Sequence, residues 1–277
     1  MRGYAAGMGS IRIGVSGWTY DSWRGDFYPP DVPKRRWLSY VAERMSSVEL
    51  NGSFYSLQRP STYRSIVEQT PAGFPVAVKG GRFVTHMKRL RDVDVPLANF
   101  FASGVLLLGD RLGPVLWQLP KNLPYDGELL ASFLALLPRD HRAAADLAAR
   151  HDDKLAADRA VTTASADGPV RHVLEPRHAS FGSPEALALL SEHDVAMVAS
   201  DSPAAWPCFE EDTTDLRYVR LHGHTELYAS GYAATSLDRW AAKLRDWAAA
   251  GQDCYVYFDN DARGRAPHDA MALIRRL

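Results

Sequence analysis

The sequence predicts an α/β protein, a single (β/α)8 barrel of the TIM type, on three observations. Eight short apolar runs rich in β-branched residues recur along the chain. Helical patterns lie between most of them. The length, 277 residues, is close to the ~250 of one closed barrel.

The runs are 11–16, 47–50, 75–79, 115–119, 170–174, 195–200, 216–221 and 254–258. Most are continuously apolar rather than alternating, as strands of a parallel sheet covered on both faces must be. Pro33 opens a helical pattern over 34–45, and Ser61 is placed to cap 62–69. Asp126 precedes 128–137, Ser183 and Pro184 start 185–193, Ser236 begins 237–249, which Gly251 ends, and 267–277 closes the chain. Two connections break the regularity. The stretch 141–167, rich in Ala and Asp, makes the fourth connection long, a helix plus a surface excursion. The stretch 201–215, rich in Pro and acids without an apolar stripe, predicts a sixth crossover that lacks a proper helix. Residues 1–10 read as a flexible leader, with Met8 an alternative start, and 11–277 as one barrel domain.

Charge is balanced, 32 Lys and Arg against 33 Asp and Glu, with no basic run, so general affinity for nucleic acid or an anionic membrane is not implied. Cys208 and Cys254 form no CxxC pair, which argues against a disulfide framework or a thiolate zinc site. No apolar h-region and no ~20-residue apolar span occur, so the expectation is a cytoplasmic protein without membrane attachment.

In a barrel of this kind the reacting groups sit at the C-terminal ends of the strands. The polar residues there are Ser16, Gly17, Trp18 and Tyr20; Glu49, Asn51 and Ser53; Lys79 and Arg82; Gln118; Glu175, Arg177 and His178; Asp201; Arg220 and His222; and Asp259 and Asn260. Any one of these is more often a cap or a surface hydrogen bond than a functional group. Together, charges abutting apolar sequence point to pairing around one cavity, because an unpaired charge is expensive to bury. Strand periodicity puts Glu49 with Asn51, Tyr218 with Arg220 and His222, and Tyr255 with Tyr257 and Asp259 on common faces. If those faces point inward, Arg220, His222 and Asp259 meet.

The ordered motifs of this chain resemble a family of barrel proteins called domain of unknown function 72, or YecE-like. The resemblance runs from about residue 11 to residue 277 and is carried by residues 14–20 with Trp23, Gly25 and 27–29, by VELNGSFY at 48–55, and by Phe74 with Lys79. It continues in GPVLWQLP at 113–120, EPRHASF at 175–181, Asp201, YVRLHG at 218–223 and YVYFDND at 255–261. The resemblance implies an eight-stranded barrel with these motifs around its mouth and implies no reaction. The family's last motif usually carries Asn where this chain has Asp259, so a family-wide role there works with a neutral amide.

The residues admit three chemistries. The first is an enzyme using general acids and bases on a small polar or anionic ligand. Glu49, Glu175, Lys79 and His222 are its titratable groups, and Arg177 and Arg220 hold a phosphate or carboxylate by two-pronged hydrogen bonds. The ligand-binding set is then Trp18, Tyr20, Asn51, Arg82, Gln118, Arg177, His178, Asp201, Arg220, Asp259 and Asn260. Gly80 and Gly81, between Lys79 and Arg82, would let backbone amides approach the anion. Within this reading Glu175, beside Arg177, is the expected permanent anion and Glu49, ending an apolar strand, the expected proton carrier. The second chemistry is a divalent-metal hydrolase or nucleic-acid-processing barrel with Glu49, Glu175, Asp201, His222, His224 and Asp259 as ligands. Lys79, Arg177 and Arg220 oppose it by adding positive charge. The third is a noncatalytic binding barrel with an aromatic wall of Trp18, Tyr20, Trp23, Phe54 and Tyr55. No HExxH, GxSxG or nucleotide-binding glycine pattern occurs, and no cofactor is expected.

Overall fold

The computed structural model describes residues 7–277. Eight strands, β1 (Ile11–Val15), β2 (Val48–Leu50), β3 (Val76–Lys79), β4 (Leu112–Gln118), β5 (His172–Glu175), β6 (Val195–Asp201), β7 (Leu216–Leu221) and β8 (Asp253–Phe258), coincide with the eight apolar runs to within a few residues at each end. All pair in parallel, in the order β1-β8-β7-β6-β5-β4-β3-β2. The ring closes between β1 and β2 without a full ladder. A single bridge, Ser16 to Glu49, and a hydrogen bond from the Gly17 amide to the Glu49 carbonyl at 2.8 Å, span that seam. The result is a nearly closed TIM-type barrel.

Nine helices cover it among the described residues: α1 (Trp37–Ala42), α2 (Gly52–Tyr55), α3 (Pro60–Gln69), α4 (Asp94–Ala102), α5 (Gly127–Ala135), α6 (His141–Ala148), α7 (Pro184–Glu192), α8 (Ala234–Ala249) and α9 (Arg265–Ile274). Asp126 and Ser183 cap α5 and α7 as expected, each accepting a backbone amide. Ser61 does not cap its helix. α3 begins one residue earlier, at Pro60, whose fixed φ and missing N–H suit the first helical position. Ser236 lies inside the first turn of α8, buried, with its hydroxyl against His224 and Arg239 rather than on the helix end. The pattern over 34–45 divides into a 3₁₀ turn, Lys34–Arg36, and the shorter α1. α9 starts at Arg265, two residues before Pro267.

α4 gave no periodic signal because Leu97, Ala98, Asn99, Phe100, Phe101 and Ala102 are all buried, and a helix covered on every side shows no apolar stripe. The long fourth connection holds α5 and α6, and the sixth, 202–215, contains no helix. No described helix is long and apolar enough to cross a membrane. Of the expected leader, residues 1–6 lie outside the described residues. At its other end Gly9 and Ser10 are tied down, the Gly9 amide to the Ala248 carbonyl and Ser10 to the Asp253 carboxylate, each amide bond at 2.8 Å.

The barrel separates two apolar regions. The larger lies between strands and helices. The smaller fills the lumen with Ala77, Leu116, Val173, Ala196, Val198, Leu216, Tyr218 and Tyr257, packed on Tyr255. This fixes the inward parity: on β7 it is Tyr218 and Arg220, on β8 Tyr257 and Asp259, on β3 Ala77 and Lys79, on β5 Val173 and Glu175. At the seam the backbones of β1 and β2 approach so closely that a Cβ on Gly14 would lie 2.0 Å from the Ser47 carbonyl oxygen. Gly14→Ala is therefore expected to pry the seam open and destabilise the fold by roughly 1–3 kcal/mol, the usual range for overpacking. Urea denaturation of the variant checks this, and an unchanged midpoint contradicts it.

Candidate active site at the barrel mouth

The inward residues at the top of the lumen form one charged floor around Arg220, which is fully buried. Its Nε and Nη2 donate to the two oxygens of Glu49 at 3.1 and 2.8 Å, and its Nη1 donates to Glu175 Oε2 at 2.9 Å. Nη2 also reaches Asp259 Oδ2 and Ser16 Oγ, both at 3.0 Å. Five strands, β1, β2, β5, β7 and β8, thus meet on one guanidinium. A planar cation with a fork of donors suits this task where an ammonium would not.

Each carboxylate is otherwise satisfied. Glu49 also accepts from the hydroxyls of Tyr218, at 2.6 Å, and Ser16, so its two oxygens take four donors. Glu175 Oε1 accepts from Arg177 Nε at 2.9 Å and lies 2.8 Å from Arg177 Nη2 in the same ion pair. Burial pushes the Glu175 carboxyl upward, but Arg177 and then Arg220 outweigh it and hold the group down to about 2. The same balance, burial against Arg220, holds Asp259 below the usual carboxylate range. His222 places Nδ1 3.0 Å from Asp259 Oδ2, yet neither ring nitrogen has a properly oriented partner among the described residues. Burial lowers its pKa, so the ring is neutral at neutral pH.

Above this floor opens a cavity of about 810 Å³ lined by Tyr20, Asn51, Phe54, Tyr55, Lys79, Arg82, His86, Met87, Gln118, Arg177, Tyr228, Asp259 and Asp261. Lys79 is only 7% exposed, and its ammonium stands 4.5 Å from the centre of the Phe54 ring. Neither it nor Arg82 has an ion pair among the described residues. Burial, reinforced by Arg220, pulls Lys79 down to about 8. Across the cavity burial, reinforced by Asp259, pushes Asp261 up to about 6. His86 is lowered to about 4 by burial, Arg177 and Lys79, and is therefore neutral, with Thr85 Oγ1 at 2.9 Å from its Nδ1. Asn51 donates to Ser16 Oγ at 2.8 Å, leaving its buried carbonyl oxygen without a partner among the described residues.

Of the residues singled out from sequence, Tyr20, Asn51, Lys79, Arg82, Gln118, Arg177 and Asp259 line the cavity, and Glu49, Glu175, Arg220 and His222 build the floor beneath it. Four stand apart. Asp201 and Asn260 have the outward parity: Asp201 accepts from Trp240 Nε1 at 3.3 Å, and Asn260 donates to Asp269 at 2.8 Å and to the Ser230 carbonyl at 2.9 Å. His178 caps the turn Ala179–Gly182 through its Nδ1. Trp18 packs on the outer core and offers its carbonyl to the Tyr28 hydroxyl. Phe54 and Tyr55 do line the cavity, whereas Trp23 is core. Gly80 serves packing rather than an anion: its amide donates to the Leu116 carbonyl at 2.8 Å, and a Cβ there would lie 2.3 Å from the Trp117 ring.

His86, Met87, Tyr228 and Asp261 were missed. The first two sit on a π-helical turn, Phe83–Met87, and Tyr228 in the seventh connection, where no periodicity marks a facing residue. Asp261 shares the parity of Asp259 and was within reach of that argument. Trp206, from the helix-free sixth connection, seats Arg177 by stacking at 3.7 Å.

The donor set offered for a divalent metal does not converge. Arg220 engages Glu49, Glu175 and Asp259, Asp201 faces Trp240, and His224 faces Ser236 at 3.1 Å. Among the described residues no group of three His, Cys, Asp or Glu side chains is placed to hold a metal ion.

Comparison with known proteins identifies relatives of the whole barrel. The family model described as "Protein of unknown function DUF72" matches residues 12–277. A solved DUF72 family protein from Thermotoga maritima MSB8, TM1631, superposes with a TM-score of 0.76 at 23% identity, covering 96% of this chain and 98% of that one. Another, ef0366 from Enterococcus faecalis V583, superposes at 0.74 with 16% identity, covering 96% and 95%. No curated protein matches.

Proposed function

The chain belongs to the DUF72 family of proteins of unknown function, and on that premise we propose that it is an enzyme applying metal-independent acid/base chemistry to a small substrate that bears a phosphate or carboxylate, at the C-terminal mouth of the barrel. The observation that carries this reading is Lys79, a nearly buried ammonium without an ion pair among the described residues, facing a cavity that also holds a carboxyl, Asp261, shifted toward neutrality. Groups whose environments bring their pKa values toward the working pH are the ones suited to exchange protons with a substrate.

The roles divide by what each group has left to offer. Glu49 has every lone pair occupied by a donor, so it is an anchor of Arg220 rather than the proton carrier. Glu175 is a permanent anion that positions Arg177. Arg220, with no exposed surface and three carboxylates in its grip, organises the floor and does not touch ligand. Lys79 and Arg82 remain free to meet the anionic end of a substrate, and Asn51 offers its vacant carbonyl to a hydroxyl. Tyr20, Phe54 and Tyr228 supply aromatic walls. Lys79 and Asp261 carry the protons.

Inorganic phosphate is expected to stabilise the wild-type fold, by about 2.7 kcal/mol at ~100 times its dissociation constant. The stabilisation is lost in Lys79→Met and weakened in Arg82→Ser. Thermal denaturation across a phosphate series reads it, and equal shifts in wild type and Lys79→Met sink the anion site.

A further inference from the structure

Resting on that reading, we propose that Lys79 is a nucleophile that forms a Schiff base with an aldehyde or ketone bearing an anionic group. The chain has six lysines. Four are paired with acids at the surface: Lys34 with Asp21 at 3.0 Å, Lys88 with Asp92 at 3.7 Å, Lys154 with Asp152 at 3.9 Å and Lys243 with Glu210 at 2.7 Å. Lys121 is exposed, its ammonium 5.0 Å from the centre of the Trp206 ring. Lys79 alone among the six is buried, and it opens into the cavity at the barrel mouth.

Three features of its setting suit an amine that attacks a carbonyl. First, burial takes the ammonium off water and the Arg220 cation stands nearby, and both effects raise the fraction of free amine at neutral pH. Second, a carboxyl whose pKa burial raises to about 6, Asp261, lines the same cavity, so a fraction of it stays protonated near neutrality. Third, the floor beneath carries three carboxylates, Glu49, Glu175 and Asp259, against two guanidinium groups, Arg177 and Arg220. That leaves net negative charge under the position where a cationic iminium would form, which stabilises the product of the addition. Arg82, on the rim and without an ion pair among the described residues, meets the anionic substituent.

The step balances without an oxidant or reductant. The Lys79 nitrogen lone pair forms the C–N bond while the carbonyl π pair moves to oxygen, which is protonated as nitrogen gives up a proton, yielding a carbinolamine. Asp261 then protonates that hydroxyl, the C–O bond breaks, water leaves, and nitrogen supplies the pair for the C=N bond. The resulting iminium withdraws electrons from the neighbouring carbon, so bonds to that carbon are the ones the enzyme would make or break.

The test is reductive trapping on the full chain with glyoxylate and sodium cyanoborohydride at neutral pH, with peptide mass spectrometry to locate the adduct. Lys79 is expected to be modified at least ten-fold faster than any other lysine, and Lys79→Met to lose the fast adduct while melting no lower than wild type. Acetaldehyde, which lacks the anionic group, is expected to label Lys79 at least ten-fold more slowly than glyoxylate. Labelling of Lys79 no faster than of Lys34 or Lys121 overturns the Schiff base, and equal rates for the two aldehydes overturn the anionic preference. If trapping fails while phosphate still stabilises wild type but not Lys79→Met, the covalent step falls and the acid/base reading stands. If both fail, both fall.

Discussion

Replacing Arg220 by Met is expected to lower the stability of this barrel by about 3–5 kcal/mol, the range for removing one partner from a buried ionic cluster. At ~2–4 °C per kcal/mol for a chain of this size, the melting temperature falls by roughly 6–20 °C. The effect is large because the guanidinium does three things at once. It neutralises Glu49, Glu175 and Asp259, it fills the top of the lumen, and it joins β7 to the seam strands β1 and β2, which share no full ladder with each other. Met replaces the volume and none of the charge, so two fully buried carboxylates lose their central cation. Arg220→Lys rescues little, since one ammonium cannot serve five directions.

The pH dependence gives the sign. In the wild type the carboxyls of Glu175 and Asp259 are held low, so their contribution is present above the unfolded value and is lost as pH falls, for Glu175 between 4.5 and about 2. In Arg220→Met the burial that Arg220 had outweighed takes over at Asp259, while Glu175 keeps Arg177; the Asp259 carboxyl then favours its protonated form, and stability rises as pH is lowered from 7 toward 5. Opposite slopes for the two proteins over that range, read by thermal denaturation, are the expected result. Parallel slopes mean the cluster is not held by charge. Adding Glu49→Gln and Glu175→Gln to Arg220→Met should recover part of the loss, because amides need no counter-ion.

Lys79→Met is expected to act in the other direction on stability and to remove function. A buried ammonium whose pKa falls from 10.5 to about 8 is disfavoured in the folded state, so its replacement by an apolar chain of similar length stabilises the fold by roughly 3 kcal/mol at pH 7. The group's folded pKa is depressed. Its penalty is therefore present in full below about 8, diminishes as pH rises from there, and is gone above 10.5, where the amine is neutral in both states. The gain of the variant over wild type should be largest at pH 7 and small near pH 10.5. Turnover of a substrate, once one is in hand, should fall at least 100-fold, the usual scale for losing a general acid or base. A protein that keeps a residue destabilising to its own fold commonly does so for its site. A melting temperature for Lys79→Met below that of wild type at pH 7 removes the argument that Lys79 is unpaired and strained by burial.

The barrel was legible because parallel strands covered on both faces must be continuously apolar, and eight such runs, from 11–16 to 254–258, leave little choice of fold. α4 escaped for the complementary reason: a helix buried all round carries no stripe. At the mouth, sequence determined that Glu49, Lys79, Glu175, Arg220 and Asp259 end strands, and hence that their charges gather at one rim. It left open which parity faces the lumen, because an apolar residue serves equally well on either face. That single binary choice brings in Asp259 and sends Asn260 to Asp269, and it turns Asp201 away from the cavity toward Trp240. Which charges cancel was decided by tertiary structure alone. Arg220 finds Glu175 at 45 residues' separation and Glu49 at 171, distances along the chain that carry no signal in the sequence but shrink to hydrogen-bond length when the ring closes. Electrostatic energy depends on separation in space and on access to water, so the same closure that neutralised Arg220 left Lys79 nearly buried and facing the cavity, with no ion pair among the described residues.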